Sequence, residues 1–128
     1  MLAISSKKGS FSDRWIAYCE KNNIPFKAVD CSSTDIIDQL EGITHLMWHW
    51  SLAEYQGLIY GRQLVRAIEE RGIRVFPSSE DCWHYDDKIA QKYLFEALDL
   101  PLVPSYVFYH KDKLTYDKKI EQIVQKIL

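Results

Sequence analysis

The sequence predicts an α/β protein built on a mostly parallel, doubly wound sheet. Three observations predict it. Short apolar runs alternate with stretches of helical period, the run Ile43–Trp50 is apolar on both sides as in a covered strand, and the links between runs have the length of crossover helices rather than tight turns. Met1–Ser5 is the first strand, ending in a polar loop around Gly9. Ser12 or Asp13 can cap the helix that follows, and Trp15, Ile16, Tyr18 and Cys19 fall on one of its faces before Asn22-Asn23 ends it. Pro25–Val29 reads as a second strand, Thr34–Leu40 as a brief helix with Gly42 beyond it, and Ile43–Trp50 as the third strand. A helix from Gly57 to Arg71 stops at Gly72, and Ile73–Phe76 is the fourth strand. The order βαβαβαβ implies right-handed crossovers, with helices on both faces of the sheet.

Beyond Pro77 the pattern changes. Asp87–Leu98 has a strong helical repeat in Ile89/Ala90, Tyr93/Leu94 and Ala97/Leu98, which Pro101 bars from continuing. Val103–Tyr109 is β-branched and aromatic, as in a strand, and Lys118–Leu128 is helical again. That last helix reaches the end of the sequence with no cap or polar tail, so the sequence is expected to be cut short there.

With 128 residues, 47% of them hydrophobic and 27% charged, the chain is long enough to bury one core and far from the composition of disordered segments. Sixteen basic residues against eighteen acidic ones, without a long Lys/Arg run, argue against a nucleic-acid partner. Three cysteines, Cys19, Cys31 and Cys82, have neither the even number of a disulfide framework nor the spacing of a zinc site. Neither a secretory leader nor a membrane span of about 20 apolar residues is evident, and a cytoplasmic location is expected.

The stretch Ile68–Lys111 carries five elements in order: Arg71-Gly72-Ile73, Val75-Phe76-Pro77, Ser78-Ser79, Asp87-Lys88 and Leu100-Pro101-Leu102-Val103-Pro104. It resembles the junction between the pre-ATP-grasp domain and the first lobe of the ATP-grasp domain in carboxylate-amine and related ligases. The resemblance covers about a third of the chain closely. It implies a Rossmann-like pre-ATP-grasp domain over 1–76, with 77–128 opening an ATP-grasp domain through a helix and a strand. By position Lys88 is then the lysine associated with ATP phosphates. The complete parent would use ATP and Mg²⁺ to turn a carboxylate into an acylphosphate and pass it to an amine. The family's second ATP-binding lysine, adenine hinge and metal ligands fall beyond Leu128, so this chain alone is expected to be inactive and to hold no cofactor. The residues themselves leave a plainer alternative, in which Asp86 and Asp87 pair with Lys88 at the surface.

His45 and His49 lie four apart in the expected third strand, about 13 Å by strand rise, too far to share a metal. His49, Trp50 and Ser51 fall at the carboxyl end of that strand, where open α/β sheets bind ligands, and are candidates for a small-molecule substrate pocket. Cys82-Trp83-His84 is better explained as a loop than as a metal or nucleophile site. The loop after the first strand contains only Gly9, which matches neither a dinucleotide fingerprint nor a P-loop. Besides the ligase reading, a stand-alone, non-catalytic α/β module that binds a ligand or a protein fits the pattern. A flavodoxin-like or receiver domain is disfavoured, since no acidic cluster follows the first strand. The apolar stripe of the last helix suggests a homodimer.

Overall fold

A computed structural model describes residues 1–50, 55–107 and 113–127. The chain divides into two compact units, Met1–Asp87 and Lys88–Leu128. In the first unit β1 (Leu2–Ser5), α1 (Phe11–Lys21), β2 (Phe26–Val29), α2 (Ile36–Gln39), β3 (His45–Met47), α3 (Tyr55–Glu70), β4 (Arg74–Phe76) and α4 (Ser79–Cys82) follow one another. The four strands pair in parallel in the order β2-β1-β3-β4. The α/β class and the parallel sheet are therefore as the sequence predicts. Leaving β1, the chain turns one way to β2; leaving β3, it turns the other way to β4. The carboxyl ends of β1 and β3 thus flank a topological switch point.

The register places Ala3 opposite Leu46 and Leu46 opposite Val75, so these three share a face. With Val29, Ile36, Leu40, Val65 and Ile68 they form the main core, which joins the sheet to α2 and α3. Ile4 is fully buried on the other face, and Cys19 of α1, which packs on β1, is buried outside the main cluster. Trp48 and Trp50 continue the buried side of β3, and their rings lie 5.1 Å apart.

Several elements differ from the sequence reading. The third strand ends at Met47, not Trp50, although the Trp48 N–H still donates to the Phe76 carbonyl. Its ladders with β1 and β4 both end at Met47, opposite Ile4 and Phe76. Ser10, not Ser12 or Asp13, caps α1, accepting from the Ser12 N–H. Tyr18 is exposed rather than facing inward. Ser78-Ser79, expected as loop, starts α4: the Ser78 side chain accepts from the Asp81 N–H, and the Glu69 carboxylate accepts from both the Ser79 N–H and its hydroxyl.

The second unit contains α5 (Lys88–Ala97) and α6 (Lys113–Ile127). The strand expected over Val103–Tyr109 is not formed across 103–107, and the remaining two positions lie outside the described residues. A strand requires a neighbour for its backbone groups, and Pro104 contributes no donor; all of residues 101–107 are exposed. The apolar repeat of α5 is real but not deeply packed: Ile89, Tyr93 and Leu98 are exposed, and none of its residues is buried. Among the described residues no helix is long and apolar enough to cross a membrane.

All three cysteines are free and buried. Burial pushes the Cys31 thiol up to about 11 from 9.0, and it raises the thiol of Cys82 and the phenol of Tyr60, which donates to the Cys31 carbonyl, in the same direction. Between pH 9 and about 11 the unfolded chain therefore loses its Cys31 proton while the native chain keeps it. Stability must fall as pH rises through that window. Urea midpoints measured from pH 8 to 11 are expected to decline, and Cys31→Ala is expected to decline less steeply. Equal slopes would refute the assignment.

Candidate functional site at the sheet switch point

The loop from β1 to α1 is held by hydroxyl groups. Ser12, almost fully buried, accepts from the Lys7 N–H at 2.9 Å and donates to the Lys7 carbonyl at 3.0 Å. The Ser10 N–H donates to the same carbonyl, and the Ser10 and Ser12 hydroxyls are 2.9 Å apart. Gly9 has φ +80°, a left-handed conformation that a side chain would strain, and its N–H donates to the Asp13 carboxylate at 2.7 Å. Lys7 and Lys8 are left at the exposed outside of this tight turn.

Across the switch point, His49 leaves β3 and its ring stands 4.6 Å from that of Phe11. Lys7, Lys8, Gly9, Ser10, Arg14 and His49 border a cavity of ≈ 470 Å³. Asp13, the nearest acid in sequence, is engaged by Gly9 and does not line it. A second cleft of ≈ 180 Å³ begins on the other side of His49, between Trp15, Trp48, Trp50, Phe76 and Tyr85. One chamber is cationic and the next is aromatic, and His49 is common to both.

The sequence placed His49, Trp50 and Ser51 together. His49 is exposed on the wall between the two chambers. Trp50 is buried, packed on Gly61 of α3 and on Trp48, and offers the cleft only part of its ring. Ser51 lies outside the described residues. The sequence marks none of Lys7, Lys8 and Arg14 as a site, and it reads Trp15 as part of an apolar helix face. The readable signal was a basic pair just after a first strand with an arginine one turn into the following helix.

Lys88, the phosphate candidate, is the first residue of α5, where the helix was expected to begin with Asp87. Its ammonium donates to the Gln91 side chain at 3.3 Å. Lys88, Gln91, Lys92, Ser105 and Tyr106 line a cavity of ≈ 380 Å³ within the second unit. Lys92 is ion-paired with Glu96 and sits 4.4 Å from the centre of the Tyr93 ring. Asp87 meets Arg62 of α3 at 3.2 Å, an ion pair internal to the first unit. Among the described residues no group of three or more His, Cys, Asp or Glu side chains could hold a metal ion.

Fold and site together define an α/β protein with a parallel sheet and a ligand-sized cavity at the switch point. No protein-family model matches the chain, and no curated protein matches it by sequence.

Proposed function

We propose that the chain supplies the leading part of an ATP-dependent carboxylate-amine or related ligase of the cytoplasm. In this reading residues 1–76 contribute the pre-ATP-grasp substrate domain, and 77–128 open the nucleotide-binding lobe. The observation that carries it is Lys88 at the amino end of a ten-residue helix, on the wall of a cavity that Lys92 also lines. The Lys88 ammonium and the first turn of a helix suit a phosphate, whose charge they would share, with Lys92 beside them in its ion pair with Glu96. ATP would supply the phosphoryl group that activates the carboxylate. Lys88 would hold and orient the phosphates, while no described cluster suits Mg²⁺.

The test uses the product of the complete reading frame. With Mg·ATP, a pool of carboxylic acids and hydroxylamine, ADP should form together with a hydroxamate, the trapped form of an acylphosphate. Lys88→Ala should lower kcat/KM by about 10²-fold or more, the size seen when a charge-stabilising donor is removed. ADP formation that is absent, or indifferent to the substitution, ends this reading.

One observation favours a second reading, a non-catalytic binding module: every described residue that lines the switch-point cavity belongs to Met1–Asp87. Ligand binding by a product that never consumes ATP would establish it. The proposal includes a homodimer, supported by exposed Ile120 and Val124 on α6; light scattering that gives a monomer mass at every concentration would remove that part.

A further inference from the structure

We infer that the carboxyl edge of the sheet in Met1–Asp87 binds a small two-part acid: an oxyanion held by Lys7, Lys8 and Arg14, joined to a single flat ring that enters the cleft between Trp15 and Phe76. The inference stands on the first unit alone and goes beyond the ligase reading, so either can fail without the other.

Charge complementarity fixes the first half. A chain of net charge −2 gathers three cationic side chains around one cavity, with no carboxylate among the described residues that line it. Such a chamber attracts an anion and repels a cation. Its volume of ≈ 470 Å³ lies within the range of small-molecule sites, about 300–1,000 Å³. Three dispersed cations are too few for a nucleic-acid backbone, whose binding draws on many phosphate contacts.

The second half follows from the neighbouring cleft. At ≈ 180 Å³ it is too small for a whole ligand and suits one ring. Its walls are aromatic, and two of them, Phe76 and Tyr85, are 61% and 53% exposed, an apolar surface that packing within the unit leaves open. Aromatic faces accept a flat ring by offset or edge contact. His49 borders both chambers, so one molecule can span them past its imidazole.

The oxyanion can be a phosphate or a carboxylate, and the probes separate the two. The 128-residue chain, labelled with ¹⁵N, is titrated with phenyl phosphate, phenylacetate, inorganic phosphate and benzyl alcohol, following the Trp15 indole and His49 ring resonances and the heat of binding. At least one ring-bearing acid should bind tenfold or more tighter than both benzyl alcohol and inorganic phosphate, moving Trp15 and His49 together. Whichever acid leads names the oxyanion. The double variant Lys8→Glu, Arg14→Glu, at two exposed positions, should abolish that advantage over benzyl alcohol while leaving benzyl alcohol binding within twofold. Phe76→Ala should abolish the advantage over inorganic phosphate. Unchanged circular dichroism spectra check that the variants fold. The inference is overturned if ring-bearing acids bind no tighter than benzyl alcohol or inorganic phosphate, or if the double variant binds them as well as the parent does.

Discussion

Leu46→Ala is expected to lower the unfolding free energy by about 2–5 kcal/mol, the loss typical of truncating a fully buried leucine. Leu46 is 1% exposed and is the middle residue of β3, one of the two central strands. Its register partners are Ala3 on one side and Val75 on the other, and α2 and α3 close the same core. Ala3 is too small to fill the space left behind, and the strand backbones are held by their ladders. A cavity would remain, adding its own penalty to the lost transfer free energy. Urea denaturation followed by tryptophan fluorescence measures the change. A loss under about 1 kcal/mol would mean that the site collapses and that the described packing is not what holds the sheet.

Gly61→Ala should act against the usual rule. In an exposed helix the change stabilises by about 1 kcal/mol, because alanine is the better helix former. Gly61 is buried in α3, and a Cβ added there would lie 2.8–2.9 Å from three atoms of the Trp50 ring. Trp50 cannot easily retreat, being itself 8% exposed and packed on Trp48. Overpacking of this kind typically destabilises by about 1–3 kcal/mol, and that term should win. Thermal unfolding of the variant tests the sign: a raised Tm would show that Trp50 is free to move. A shifted Trp50 would also disturb the aromatic cleft, so the variant should weaken binding of ring-bearing acids more than that of inorganic phosphate.

The sheet was legible because parallel strands buried on both faces leave continuous apolar runs, and Ala3-Ile4, Leu46 and Val75 each sit in one. Val103–Val107 shows the limit of that signal. Its β-branched and aromatic residues have strand propensity, but propensity describes fit to a pleated surface and supplies no neighbouring strand. The site was legible by half. His49 could be placed by rule, since it follows a parallel strand at its carboxyl end. Lys7, Lys8 and Arg14 could not, because only the strand order brings the loop after β1 beside the end of β3, and that order is a three-dimensional fact. Trp15 looked like core on helical period, yet it is only half-buried and fronts the cleft. Gly61 carried no signal at all, since a glycine within a helix has no visible partner in one sequence.

The hydroxyl-bonded turn around Ser12 has a thermodynamic consequence. A backbone already fixed by Ser10, Ser12 and Asp13 has little freedom left to surrender to the anion we infer. The entropy of shaping that segment is charged to folding, and association must immobilise only the lysine and arginine side chains, at about 0.5–1.5 kcal/mol each. Removing the Ser12 hydroxyl would return the shaping step to the binding event, weakening the inferred association without deleting a single cation.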